Sequence, residues 1–193
     1  MNSQITIKKI QDLLLQGLET TNVDDETSRR MWWASLEVIQ KEYLSHNYQK
    51  GGIWVASPLP ALNEEKYFNQ LQGWLWSPEG FPYFKKDNAG FLPVNHSTQA
   101  REKFTFNGNY KLLNLNPEDG YEPFLMIITP NFQCILTIAG EKDKKALLMK
   151  CDEDSLRTAI KLIHKKLNQE NSQEGLNFRN AINDLGQLNI NDE

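Results

Sequence analysis

Residues 122–140, EPFLMIITPNFQCILTIAG, constrain the fold of this chain more than any other stretch. Residues 124–129, FLMIIT, have no polar alternation, which marks a strand covered on both faces. Residues 132–139 instead place Phe132, Cys134, Leu136 and Ile138 on one side, the period of a strand with a buried face. A Thr129-Pro130-Asn131 corner joins them. Two adjacent apolar strands with a tight corner require a sheet, and the sheet needs other elements to cover it.

The flanking sequence supplies them. Ile7, Ile10, Leu14 and Leu18 form a helical stripe, so residues 5–18 are predicted as a first helix. In DDETSRRMWWASLEVIQKEYLS, Asp24 or Asp25 can cap a second helix, with Trp32, Leu36, Ile39 and Tyr43 along one face. IWVAS, 53–57, lies between Gly51-Gly52 and Pro58 and reads as a short strand. LPALNEEKYFNQLQGWLW reads as a helix, with Asn63 as its cap and Phe68, Leu71 and Leu75 on one side. KFTFNGNYKLLNL reads as a hairpin: a three-residue Asn107-Gly108-Asn109 loop pairs Phe104 with Leu112 and keeps apolar residues together. ALLMKC is a further strand. DEDSLRTAIKLIHKKL carries acidic residues at its start, basic ones at its end and a stripe of Leu156, Ala159, Ile160, Ile163 and Leu167, the pattern of a closing helix.

The expected fold is therefore α+β: a mostly antiparallel central sheet with helices at both chain ends packed on one side. Residues 1–168 are expected as one domain, with a helical part at 1–50, a sheet region at 52–151 and the closing helix at 152–168. Residues 169–193 are expected as a polar linker and a short C-terminal helix or tail. The 193 residues suffice for a core, since a chain of about 150 buries roughly 70% of its unfolded surface.

Composition narrows the function. A net charge of −4 argues against a nucleic-acid reader, which carries a basic excess. The N-terminal stretch lacks the pattern of a signal peptide and no segment has the apolar length of a membrane span, so a cytoplasmic protein is expected. Cys134 and Cys151 sit in apolar runs and read as core thiols; a disulfide between them requires that their strands be neighbours. His46, His96 and His164 show no metal-pair spacing, and GxSxG, GxxxxGK[ST] and GxGxxG are all missing from the sequence. Glu118-Asp119 and Asp152-Glu153-Asp154 are explained by a turn and a helix start. No cofactor, metal or catalytic residue is indicated.

Aromatic residues are the more informative feature. Trp74, Trp76, Phe81, Tyr83 and Phe84 fall close together at the entry to an irregular, proline- and glycine-rich segment, and are the candidate contacts for a protein partner or ligand. The competing reading makes them core anchors beneath that segment. Trp32 and Trp33 lie about 100° apart on their helix, so both are covered only if the helix is broadly buried or docks on something.

The block from Glu122 to Leu167 resembles the closing part of the DICT sensory domain, found beside diguanylate cyclases and two-component kinases, especially in photosynthetic bacteria. The shared pattern is a strand, a short corner, a second strand FQCILTIAGE, a charged interruption, another strand and a final helix. The resemblance covers about a quarter of the chain and implies a non-catalytic sensory or regulatory module of signal transduction that binds a protein partner, such as a signalling kinase. Two further readings accompany it. One is an accessory or assembly factor on a large protein complex, photosynthetic or other; the second is an enzyme whose active residues are dispersed along the chain.

Overall fold

The structure, a computed structural model, describes residues 4–17, 23–45, 51–58, 61–62, 70–78, 109–141, 144–186 and 188. Their elements are α1 (Ile7–Leu15), α2 (Asp25–Val38) continued by a π-helical turn (Ile39–Leu44), β1 (Ile53–Ser57), β2 (Gln72–Ser77), β3 (Tyr110–Asn114), a short 3-10 turn (Pro117–Asp119), β4 (Phe124–Ile128), β5 (Gln133–Glu141), β6 (Lys144–Lys150), α3 (Glu153–Glu170) and α4 (Ser172–Leu185). The helices begin where short polar side chains accept from the free N–H groups of the first turn. Thr6 accepts from Lys9 (3.1 Å), Asp24 from Thr27 (2.8 Å), Asp152 from Ser155 (2.9 Å) and Asn171 from Gln173 (3.0 Å). Helix α4 ends at Gly186, whose left-handed φ of 73° suits a residue without Cβ.

The six strands form one sheet in the order β3-β2-β1-β4-β5-β6. β4, β5 and β6 are an antiparallel meander, and β1 joins it antiparallel to β4; β2 and β3 then add in parallel. This is the expected α+β fold, with a mixed, mostly antiparallel sheet and the helices of both chain ends packed against it.

Alternation along the strands builds two cores. One face carries Val55, Trp74, Trp76, Phe124, Met126 and Ile135 under α1, α3 and α4, whose Ile10, Ile163 and Phe178 complete the cluster. The other carries Trp54, Leu75, Leu125, Ile127, Cys134 and Leu136 against Trp32, Leu36 and Ile39 of α2 and its π-helical turn. Helix α2 thus covers the face that the chain-end helices leave open, which is why every residue of β4 is buried. A buried Gln11 ties α1 to the sheet: its Nε2 donates to Thr137 Oγ1 (2.9 Å) and to Ile138 O (3.2 Å).

Several local expectations are corrected. Residues 72–77, read as the end of a helix, are a strand, because parallel partners on both sides and the alternation of Trp74 and Trp76 with Gly73 and Leu75 outweigh a three-residue helical spacing; residues 63–69 lie outside the described set. Tyr110–Asn114 is a strand, paired with β2, while the other arm of the expected hairpin lies outside the described residues. The supposed polar linker after residue 168 is the last turn of α3 and the first of α4. Cys151, read as a core thiol, is exposed one residue past the end of β6.

Candidate functional site

Three carboxylates, Glu170 and Glu174 of the chain-end helices and Asp119 of the 3-10 turn, meet Lys166 of α3 and Lys111 of β3 in a polar seam. Lys166 lies among the apolar stripe of α3, three residues beyond Ile163, and so faces the core. Its Nζ donates to Asp119 Oδ1 (2.7 Å) and, one helical turn on, to Glu170 Oε1 (2.7 Å). Asp119, wholly buried in the 3-10 turn, also accepts from the Ile7 N–H through Oδ1 (2.9 Å) and from the Asn116 N–H through Oδ2 (3.1 Å). Glu170 Oε2 accepts from Trp76 Nε1 (2.7 Å), and that indole lies 5.4 Å from the Lys166 ammonium.

The seam continues onto α4. Glu174 Oε2 accepts from Trp74 Nε1 (3.1 Å), while its Oε1 lies 3.6 Å from Lys111 Nζ on β3. Gly175, the next residue, packs so closely that a Cβ there would stand 2.0 Å from Asn168 Oδ1 on α3. At the end near Glu174 the seam opens into a recess of about 220 Å³, lined by Gln72, Gly73, Trp74, Asn109, Tyr110, Lys111 and Glu174. Both oxygens of Asp119 and of Glu170 accept hydrogen bonds, Glu174 accepts one through Oε2, and its Oε1 faces the Lys111 ammonium as an ion pair. These oxygens are thus engaged in fixing α1, α3 and α4 to the sheet, and the arrangement reads as a structural clamp. Among the described residues, no group of three or more His, Cys, Asp or Glu could hold a metal ion.

Trp74 and Trp76 were singled out as contact residues. Their rings are wholly buried, Trp74 edge-on to Phe178 at 5.2 Å, and both indoles lie in the core cluster under α1, α3 and α4. Their N–H groups reach the seam; Trp74 alone also borders the recess. Phe81, Tyr83 and Phe84 lie outside the described residues, as do His46 and His96. The seam itself was missed: Asp119 was read only as a turn residue, a role that it does fill, and Lys166 only as part of a basic helix end. The available signal was a lysine at a helical position that the flanking stripe points inward.

A second feature lies on the opposite face. Trp32 is 6% exposed, yet Met31, Trp33, Val38 and Tyr43 are 42%, 42%, 51% and 43% exposed on α2 and its π-helical turn. Tyr43 stacks on Phe132, just before β5, with ring centroids 4.3 Å apart. Met149, on the neighbouring β6, is 46% exposed. The polar part of α2 is held by pairs one turn apart, Arg29 with Asp25 and Arg30 with Glu26. No helix among the described residues is long and apolar enough to cross a membrane.

The model of one protein family, described as a domain of unknown function (DUF8628), matches residues 8–193. No curated protein and no solved structure matches the chain.

Proposed function

Because the chain belongs to the DUF8628 family, whose description names no activity, we propose from its own surface that it is a non-catalytic regulatory module of signal transduction that works by binding a protein partner. The observation that carries this reading is the half-exposed apolar residues that flank the buried stripe of α2 and its π-helical turn, Met31, Val38 and Tyr43 on one flank and Trp33 on the other, on a helix whose inner side is already anchored by Trp32, Leu36 and Ile39. Large aromatic and aliphatic side chains presented on a rigid element are the composition of a protein-binding surface. The signalling half of the proposal is supported by the strand-corner-strand-strand-helix order over residues 122–167, through its resemblance to the DICT sensory domain.

The test is capture from native cell extract by the tagged full chain, beside the variant Trp33→Ala/Val38→Ala. Both positions are about half exposed, so the variant should stay folded, which its thermal midpoint checks beside that of the parent. The expected result is a signalling protein retained by the parent and lost with the variant. Retention of the subunits of one large complex would replace this reading with that of an accessory factor. Equal retention by parent and variant, or none by either, would overturn the α2 surface.

A further inference from the structure

We propose that Cys134 and Cys151 close a reversible cross-strand disulfide that fastens the start of α3 to the sheet. The register carries the inference. β5 and β6 pair without interruption from Glu141 opposite Lys144 to Ile135 opposite Lys150. Extended one residue beyond the end of that ladder, the same register sets Cys134 of β5 opposite Cys151, the residue that follows β6.

The type of pair follows from the hydrogen bonds. The Ile138 N–H donates to Pro123 O on the β4 side (3.0 Å), so the even-numbered residues of β5 turn their peptide groups to β4 and the odd-numbered ones to β6. Lys145, opposite Gly140, agrees, because its N–H and C=O both turn outward to Val23. Cys134 and Cys151 are therefore a non-hydrogen-bonded pair, the kind in which opposing Cα atoms approach to about 4.5 Å and side chains come closest. That separation falls within the range of roughly 4.4–6.8 Å that a disulfide spans. Opposed residues also point to one side of the sheet, here the α2 side. Burial, and after it the nearby Cys151, raises the Cys134 thiol well above its ordinary pKa, in keeping with that proximity.

The two thiols differ in access, which sets the order of events. Cys151 is exposed and Cys134 is buried. With a low-molecular-weight disulfide as oxidant, the Cys151 thiol loses its proton to solvent and its sulfur attacks one sulfur of the reagent. The reagent's S–S bond breaks, one thiolate leaves and takes up a proton, and a mixed disulfide remains on Cys151. Cys134, deprotonated in turn, attacks the Cys151 sulfur and expels the second thiolate. Two protein thiols are oxidised and one reagent disulfide is reduced to two thiols. Because Cys151 precedes Asp152, the cap of α3, the bond ties that helix start to the strand beneath α2.

The experiment equilibrates the full chain with reduced and oxidised glutathione in varying ratio, and repeats the series in sub-denaturing urea so that burial of Cys134 does not block exchange. Intact mass, thiol counting and non-reducing peptide mapping are the readouts. The expected product is a monomer lighter by two hydrogens, without glutathione, in which the peptides bearing Cys134 and Cys151 are joined. Its thermal midpoint should rise by on the order of 5 °C and return with dithiothreitol. The Cys151→Ser variant, altered only at an exposed position, should show neither the link nor the rise. A glutathione adduct persisting on Cys151, a dimer linked through Cys151, or thiols that stay free in both series would each overturn the proposal.

Discussion

Replacing Lys166 by Met removes one ammonium from the seam while keeping most of the side chain's length. The stem continues to fill its space, so the loss is chiefly electrostatic. Lys166 and Asp119 have side chains only 1% and 0% exposed, and Lys166 Nζ lies 2.7 Å from both Asp119 and Glu170. Deleting one member of a buried pair leaves the other charge uncompensated, at about 3–5 kcal/mol. Two backbone N–H donors still hold Asp119, which places the expected loss near the lower figure, about 3 kcal/mol. For a chain of this size that lowers the thermal midpoint by about 6–12 °C. Urea unfolding of the parent, Lys166→Met, Asp119→Asn and the double variant measures it as a thermodynamic cycle. Asp119→Asn should itself destabilise, because its amide NH2 would face one of the two N–H groups that the carboxylate accepts. The double variant should lose less than the sum of the singles, by about 1.5–3 kcal/mol. A Lys166→Met loss below about 1 kcal/mol, or additivity within about 0.5 kcal/mol, would refute the seam as the clamp of the helical layer.

Gly73→Ala should destabilise by about 1–3 kcal/mol or more, because the new Cβ would stand 2.3 Å from Cε2 of the buried Trp54 ring, which cannot swing away; thermal unfolding reads it. Hydrogen bonds from the backbone N–H and hydroxyl of Ser155 hold the Asp152 carboxyl below its ordinary pKa. Its contribution is thus complete above about pH 4 and is lost as pH falls through the lower folded value. Asp152→Ala should cost about 0.5–1 kcal/mol at neutral pH, the lower part of the capping range because the group is exposed, and the loss should shrink toward zero in acid. Equal losses at neutral pH and at pH 2 would contradict that assignment.

Elements governed by local signals were legible in the sequence. The helix starts at Asp24-Asp25 and at Asp152-Glu153-Asp154, the stripe of Leu156, Ile160 and Ile163, and the unalternating β4 announced their own structure and burial. The strand around Trp74 and Trp76 was not, since its character derives from β1 and β3, which lie beside it in space and apart from it in sequence. The seam was hidden for a similar reason: Asp119, Lys166, Glu174 and Lys111 come from four elements, and no spacing within one segment joins them. Of the candidate contacts, Trp74 and Trp76 proved to be indoles of the core. The exposed Trp33 was hinted at by its angle to Trp32, which only the packing of α2 resolves.

The mixed pairing of the sheet also bears on how the chain reaches its fold. β4, β5 and β6 follow one another through short corners, so their ladders close small loops. β1 must find β4 across much of the chain, bringing residues 53–57 to 124–128, and the parallel β2 and β3 depend on connections of their own. Loop-closure entropy therefore favours the meander as the early nucleus and leaves β1, β2 and β3 to dock afterwards. Faults in β4–β6 should slow refolding, whereas faults in the docking strands should chiefly hasten unfolding. Until those strands arrive, the β1-facing edge of β4 stays unpaired, and its five residues, Phe124–Ile128, are all apolar.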